Sequence, residues 1–208
     1  DHERQFNAPV IGIDEAGRGP WAGPVTVTAI WLCPSAYAAL PVGIDDSKKI
    51  KPLRRASLAA ALMAPPHLYH TVSIEVGQID QMGILKATFA GMVMAASELA
   101  DKMVKAGLGA PVHALVDGNL LPPDMPLPAT ALIKGDSRSL SIAAASIIAK
   151  TSRDQIMQDL ALAYPEYGWA SNMGYGTKAH QAGLDQFGLT PHHRHSFKPI
   201  RRYLDAGD

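Results

Sequence analysis

The chain has 208 residues, 47% of them hydrophobic and 18% charged, and its 19 lysines and arginines balance its 19 aspartates and glutamates. This composition predicts a globular protein, while the lack of an 18-residue apolar run and the polar first residues predict neither a membrane span nor a signal peptide. The single cysteine cannot form an internal disulfide, which predicts the reducing cytoplasm. The net charge of zero argues against a broad basic surface, so any binding of nucleic acid must depend on local clusters of positive charge.

Hydrophobic periodicity predicts short strands alternating with helices. In chain order we expect strands at residues 10–13, 25–31, 69–76, 113–116 and 130–133, and helical segments at about 51–63, 77–105 and 141–162. A glycine turn joins the first two strands, and helices separate the later ones. This order predicts an α/β fold, a mixed sheet of about five strands flanked by helices. The single cysteine, Cys33, lies in an apolar, strand-like run and is expected to be a buried structural thiol.

Three of the predicted strands end in carboxylates. Asp14 and Glu15 follow the first strand, Asp117 follows the fourth, and Asp136 comes shortly after the fifth. Each junction taken alone could be a turn that begins with the side-chain hydrogen bonds of an aspartate. Because the carboxyl ends of parallel strands meet at a common edge, the three junctions together predict a site for a hard divalent cation, magnesium or manganese. Zinc is disfavoured, since it normally draws on cysteine or histidine ligands.

Two such cations could activate a water molecule and stabilise the leaving oxygen in a displacement at phosphorus. The acids therefore make phosphodiester hydrolysis a candidate function. They do not by themselves distinguish a phosphatase, a nuclease and a polymerase-like enzyme, because all three would use the same acids.

Several motifs, spread over most of the chain, resemble type 2 ribonuclease H, the ribonuclease HII family. The first is GIDEAGRGP at residues 12–20, followed by AGPV at 22–25, with Trp21 where a leucine is common. The others are DSKK at 46–49, VDG at 116–118, KGD at 134–136, SIAAASIIAK at 141–150 with RD at 153–154, GYGTK at 174–178 with His180, TP at 190–191, HR at 193–194 and SF at 196–197. His195 stands where the family often has an arginine.

The resemblance implies a ribonuclease H-like fold, with a catalytic domain at residues 1–165 and a C-terminal helical extension at residues 166–208 that packs on it and contributes to substrate binding. It implies hydrolysis of the RNA strand of RNA–DNA hybrids and cutting at single ribonucleotides embedded in duplex DNA. The products would carry 5′-phosphate and 3′-hydroxyl ends, and a cell would use the reaction to remove misincorporated ribonucleotides. Two alternatives from other classes are a module that binds hybrids without cutting and the sister type 3 ribonuclease H.

The resemblance also assigns residues. The catalytic and metal-binding residues would be the acids already singled out, which are Asp14, Glu15, Asp117 and Asp136, holding two Mg²⁺ or Mn²⁺ ions in the substrate complex. The partners would be the RNA–DNA hybrid and duplex DNA that contains ribonucleotides, bound by a monomer.

A glycine turn and a tyrosine are implied to recognise the ribonucleotide. Gly17, Arg18 and Gly19 would present main-chain groups to the 2′-hydroxyl, and Tyr175 would abut the sugar at the RNA-to-DNA junction. Glycines allow a backbone to approach a ligand closely, and the 2′-hydroxyl is the group that distinguishes RNA from DNA. Without the resemblance, the two glycines would be interpreted as turn residues and Tyr175 as a half-buried core aromatic.

Two groups of basic residues could meet phosphates. They are Lys48, Lys49, Lys51, Arg54 and Arg55 in one segment, and Lys198, Arg201 and Arg202 in another. The resemblance allows Ser47 and Lys48 to bind the substrate backbone. The alternative is that Asp46 or Ser47 caps a helix whose solvated face carries the lysines.

Two further motifs have simpler structural interpretations. The small residues at 143–146 favour a helix that lies close against a sheet. The tract of His192, His193 and His195 could hold a metal ion, although an exposed loop is the simpler interpretation.

Overall fold

The computed structural model describes residues 2–204 and contains the mixed five-stranded sheet that the sequence predicts. The strands are β1 (Val10–Ala16), β2 (Val25–Trp31), β3 (Leu68–Ile74), β4 (His113–Asp117) and β5 (Ala129–Leu132). They lie in the order β3-β2-β1-β4-β5. β1, β4 and β5 are parallel to one another, whereas β2 is antiparallel to both β1 and β3. The carboxyl ends of β1, β4 and β5 therefore lie along one edge.

The helices are α1 (Pro52–Met63), α2 (Val76–Met82), α3 (Ile84–Lys105), α4 (Leu140–Ala163), α5 (Trp169–Asn172), α6 (Lys178–Phe187) and α7 (Lys198–Leu204). The predicted helical segment 77–105 is thus two helices. They are separated by Gly83, whose φ of 82° lies in the left-handed region that favours glycine. Within residues 2–204 no single helix is long and apolar enough to cross a membrane, and the pair α2 and α3, which would suffice in length and composition, is bent by 118°.

The helix α4 lies directly on one face of the sheet, with α1 beside it. A Cβ atom on Gly12 of β1 would stand 2.2 Å from the carbonyl carbon of Ser141, so the glycine permits this close approach. The small residues 143–146 are all buried, and the packing interpretation of this run is confirmed. The side chain of Ser139 begins the helix by accepting a hydrogen bond from the Ile142 N–H.

The helix α3 covers the opposite face of the sheet. Its Met92, Leu99 and Met103 pack with residues of β1, β2 and β4 in the largest apolar cluster. Cys33 lies at the margin of this cluster and is only half-buried, and its thiol is 3.2 Å from the Ser35 hydroxyl. The thiol is therefore less buried than the sequence predicted, because Cys33 lies two residues beyond the end of β2 at Trp31.

The elements after residue 165 pack on the end of α4. A separate apolar cluster joins Met157 and Ala161 of α4 to Tyr167, Trp169, Leu184 and Ile200, together with Ala22 from the β1–β2 loop. Residues that follow the sheet in sequence therefore contact the loop that leaves β1. The division into units at residues 1–165 and 166–208 stays a prediction.

Candidate active site

The acids Asp14 and Glu15 lie inside β1 rather than beyond its end. The sequence placed the end of this strand at residue 13, and that is where the parallel pairing with β4 ends, at Ile13 and Val116. The antiparallel pairing with β2 continues to Ala16, and it carries the strand three residues further. The predicted strand boundary is wrong because the pairing of β1 with β2 extends three residues beyond its pairing with β4. Asp14 is the first residue of β1 beyond the pairing with β4.

The fourth strand ends in Asp117, the position that follows Val116 in the register with Ile13. Its carboxylate Oδ1 accepts a hydrogen bond of 2.7 Å from the Gly135 N–H. Asp136 does not directly follow β5, which ends at Leu132, but lies in the short 3-10 helix Gly135–Ser137. The hydrogen bond between Asp117 and Gly135 therefore holds Asp136 near the end of β4.

Electrostatics indicate that these carboxylates act on one another. Burial raises the pKa of Asp14 well above its usual value, and the charges of Glu15 and Asp117 add to the effect. Burial also raises the pKa of Glu15 and of Asp136, and in both cases Asp117 contributes further. Arg18 opposes the shift at Glu15, where its guanidinium lies 3.4 Å from the carboxylate. A cluster of this kind is stabilised by a cation.

The donor set fits a hard divalent cation. In the described part of the chain, no three His, Cys, Asp or Glu side chains stand close enough to enclose an ion by themselves. Magnesium usually keeps several waters and takes one or two carboxylates together with substrate phosphate oxygens, so a complete protein cage is not required. The oxygen-only acids at this edge suit such an open site better than they suit zinc.

A pair of serines supports Asp14 from behind. The Ser146 hydroxyl on α4 forms a hydrogen bond with the Asp14 carboxylate, which lowers its pKa against the effect of burial. The Ser47 hydroxyl lies 2.8 Å from that of Ser146, and Ser47 is 2% exposed. Ser47 thus turns its hydroxyl into the protein, whereas Lys48 is exposed.

The β1–β2 loop forms one wall of a cleft of about 1050 Å³. Gly17 has a φ of 98°, and a Cβ atom there would stand 2.0 Å from the Arg153 side chain, so internal packing alone requires glycine. At Gly19 a Cβ atom would lie 3.4 Å from the Tyr175 ring, which is 50% exposed. The alternative of Tyr175 as a core aromatic is therefore wrong, because its ring lines the cleft beside Gly19.

The same cleft contains the basic segment that follows the DSKK motif. Among its lining residues are Glu15, Gly17, Arg18, Gly19, Ser47, Lys48, Lys49, Lys51, Arg55, Lys150 and Tyr175. Positive side chains outnumber negative ones in this lining, although the whole chain is neutral. Of the four acids, the described lining includes Glu15, and Asp14, Asp117 and Asp136 lie outside it. The structure thus brings the predicted substrate-binding residues together and sets Glu15 at their margin.

Comparisons with known proteins point to one family. The family model for ribonuclease HII matches residues 11–200. Ribonuclease HII from Jannaschia sp. (strain CCS1) is 46% identical over 203 residues, which are 97% of this chain and 96% of that protein. Ribonuclease HII from Rhodospirillum rubrum is 48% identical, with 97% and 89% covered.

The chain belongs to the ribonuclease HII family. It is therefore a hydrolytic endoribonuclease of the kind that acts on RNA–DNA hybrids, as the sequence predicted, and a binding module that does not cut is not favoured. Membership also supports dependence on a divalent metal ion.

Solved structures share the ribonuclease H fold. The ribonuclease H2 from Pyrococcus horikoshii OT3 aligns with a TM-score of 0.77 at 24% identity, covering 95% of this chain and 98% of that one. A Bst-RNase HIII in complex with Mn²⁺ aligns with the same TM-score of 0.77 at 22% identity, covering 97% and 70%. At such identities the likeness concerns the fold, and it confirms the predicted ribonuclease H-like architecture.

One residue of this ribonuclease HII chain that the sequence did not assign a role is Arg153. It is 1% exposed, and its guanidinium donates to three carbonyl oxygens, those of Pro24 at 2.9 Å, Ala22 at 3.0 Å and Met173 at 2.9 Å. It therefore ties the β1–β2 loop at residues 17–24, here called the glycine loop, to the segment before Tyr175. The motif match at residues 153–154 was visible in the sequence, but its carbonyl partners come from distant segments.

The histidine tract is not the exposed loop that the sequence suggested. His195 is exposed, but His193 is fully buried among the rings of Tyr167, Trp169 and His180. Its Nδ1 accepts a hydrogen bond of 2.9 Å from the Thr190 N–H. Burial first, and then the neighbouring His180, lower the pKa of His193 to about 3. The interpretation failed because hydrogen bonds within an aromatic cluster allow a neutral histidine to be buried.

Proposed function

We propose that Asp14, Glu15, Asp117 and Asp136 form the catalytic site and hold two Mg²⁺ or Mn²⁺ ions when substrate is bound. Bound ions would supply activation of the attacking water and stabilisation of the leaving oxygen. The mutual effect of these carboxylates on one another's pKa supports the assignment. The chain's own task is to keep the acids ionised and oriented, which the hydrogen bonds from Gly135 to Asp117 and from Ser146 to Asp14 serve.

The proposed substrate is the RNA strand of a hybrid and, in addition, a single ribonucleotide in duplex DNA, cut to leave 5′-phosphate and 3′-hydroxyl ends. One observation carries this proposal: the glycine loop and the Tyr175 ring share a cleft wall that begins at Glu15. Main-chain groups beside a nearby aromatic ring suit a ribose whose 2′-hydroxyl is to be recognised. A site that hydrogen-bonds a hydroxyl rejects the analogue without it by about 10⁴-fold, so DNA alone should stay uncut.

Lys48 is the proposed phosphate contact of the basic segment. It is exposed in the cleft, and its charge lowers the pKa of both Glu15 and Asp136. A phosphate beside those acids would meet its positive charge. Ser47 supports the same region in another way, because its buried hydroxyl contacts Ser146 behind Asp14.

The C-terminal part would contribute to substrate binding by supplying Tyr175. Since acids, glycine loop and tyrosine all come from one chain, we propose that the enzyme acts as a monomer. We also propose the cytoplasm as its place of action, because a reducing compartment suits the free thiol of Cys33.

The proposal is tested with three duplexes of one sequence: an RNA–DNA hybrid, a DNA duplex with one ribonucleotide, and an all-DNA duplex. Each is incubated with Mg²⁺ or with Mn²⁺, and the ends of the products are identified. We expect the first two to be cut to 5′-phosphate and 3′-hydroxyl ends and the third to remain intact. Cutting of the all-DNA duplex, or no cutting at the single ribonucleotide, would refute the proposed substrate recognition.

A further inference from the structure

The carbonyl oxygens of the glycine loop are held from inside by Arg194. This arginine is fully buried. Its guanidinium donates to four main-chain oxygens: from Nε to Gly23 at 2.9 Å, from Nη1 to Arg18 at 3.1 Å, and from Nη2 to Gly17 at 2.6 Å and Pro24 at 3.0 Å. Among residues 2–204 no carboxylate lies within ion-pair distance of it. Carbonyl dipoles of a single loop therefore replace the water around this cation.

Such an arrangement fixes the direction of two peptide planes. In a planar trans peptide the C=O and the following N–H point to opposite sides. The Gly17 carbonyl shares its plane with the Arg18 N–H, and the Arg18 carbonyl shares its plane with the Gly19 N–H. With both oxygens turned inward onto Arg194, both N–H groups must point outward.

The outward side is the cleft. Gly17, Arg18 and Gly19 line it, and the Tyr175 ring stands beside Gly19. Within the described chain, neither the Arg18 N–H nor the Gly19 N–H donates a hydrogen bond to another residue. Two oriented donors are thus available where the ribose is proposed to lie.

We propose that Arg194 is a positioning residue for recognition of the ribonucleotide: by binding the Gly17 and Arg18 carbonyls, it aims the Arg18 and Gly19 N–H groups at the 2′-oxygen of the substrate. This inference rests on the proposed function. The guanidinium suits the task because its planar fork carries five donors in a fixed geometry, whereas a lysine ammonium presents three rotatable donors from a single point.

Leu99 provides a control for loss of stability. It is fully buried, and it lies in α3, on the face of the sheet opposite α4. It packs in the apolar cluster of that face, away from the residues that line the cleft. Leu99→Ala therefore lowers stability through the core and leaves both peptide planes anchored on Arg194.

The experiment compares wild type, Arg194→Lys and Leu99→Ala. Affinity is measured in chelator by fluorescence anisotropy, for a duplex with one ribonucleotide and for the all-DNA duplex, and thermal unfolding gives the stability of each protein. We expect Arg194→Lys to reduce the ratio of the two affinities about tenfold, since a factor of ten corresponds to one or two lost hydrogen bonds. Leu99→Ala should also lose thermal stability and should keep the wild-type ratio.

The outcomes separate the inference from the function on which it rests. If wild type itself does not discriminate between the duplexes, the proposed recognition fails, and the role of Arg194 fails with it. If wild type discriminates and folded Arg194→Lys discriminates equally well, the function stands and the inference is overturned.

A second measurement applies if Arg194→Lys does not fold. In ¹⁵N-labelled wild type, the Arg18 and Gly19 amide resonances should shift with the ribonucleotide duplex and much less with the all-DNA duplex. Equal shifts with both duplexes would also overturn the inference.

Discussion

Asp117→Asn should abolish cleavage while leaving the fold intact. The Asp117 carboxylate has two roles that can be separated: its Oδ1 accepts the Gly135 N–H, and its charge raises the pKa of Asp14, Glu15 and Asp136. An asparagine keeps a carbonyl oxygen for the first role and loses the charge required for the second. The short helix that carries Asp136 should therefore stay in place.

The effect on stability has a definite sign. The raised pKa values mean that the folded chain holds protons on these acids more tightly than the unfolded chain does. Without metal, its stability should fall as pH rises from the ordinary range of carboxyl groups through the raised range. Removing one charge relieves part of this repulsion. Because Asp14 is buried and Asp117 and Asp136 are half-buried, the gain is on the order of 1 kcal/mol or more, which raises the Tm by at least roughly 2–4 °C for a chain of this size.

Two assays check this prediction. Cleavage of the single-ribonucleotide duplex should fall by more than about 100-fold, because even residues that only support metal ligands usually contribute 10–100-fold. Thermal unfolding in chelator above neutral pH should give the higher Tm. The control is Asp101→Asn, which removes an exposed carboxylate from α3 on the other face of the sheet and should change neither quantity. A folded Asp117→Asn protein with wild-type turnover would refute the assignment of this acid.

Two substitutions and two changes of solution conditions test the site further. Tyr175→Ala should lower kcat/KM on the single-ribonucleotide duplex by about tenfold or more and leave metal affinity unchanged, and equal cleavage by both proteins would remove Tyr175 from recognition. Ser146→Ala should weaken metal binding about tenfold by taking a donor from Asp14, and an unchanged titration by calorimetry would contradict that support. Excess chelator should abolish cutting, and added salt should weaken binding to the basic cleft; cutting in chelator or salt-independent affinity would refute these two expectations.

Sequence patterns predicted what depends on local periodicity. The acids Asp14, Asp117 and Asp136 could be found because one short apolar run stops at Asp14, another stops at Asp117, and a third ends three residues before Asp136. The boundaries of the strands could not be predicted. β1 continues beyond its pairing with β4 only because it also pairs with β2, and Asp136 is positioned by the short 3-10 helix after β5. A strand's length depends on both of its neighbours, and a single sequence does not show which neighbour ends first.

The supports of the site were less predictable still. The Ser47 and Ser146 hydroxyls, which meet behind Asp14, are 99 residues apart in sequence. The four carbonyls on Arg194 are at least 170 residues away from it. A main-chain oxygen is present in every residue type, so a hydrogen bond from an arginine to such an oxygen does not require a particular residue at the accepting position. Composition and spacing therefore cannot indicate such a contact.

The segment at residues 190–194 is connected by hydrogen bonds both to the glycine loop and to the main chain of Tyr175. Arg194 anchors the glycine loop, and His193 begins a chain of hydrogen bonds toward Tyr175. Because His193 accepts from the Thr190 N–H at Nδ1, its proton lies on Nε2, which is 3.0 Å from Nε2 of His180.

That nitrogen of His180 also receives the Trp169 indole N–H at 3.2 Å, so it is an acceptor, and the His180 proton must lie on Nδ1. There it can donate to the Tyr175 carbonyl at 3.0 Å. Both imidazoles have lowered pKa values and stay neutral near pH 7. Each of these hydrogen bonds therefore keeps the same donor and the same acceptor throughout the physiological range of pH. One short segment thus fixes the main chain of the tyrosine and of the glycine loop, and a shift of that segment would move both groups proposed to contact the ribose.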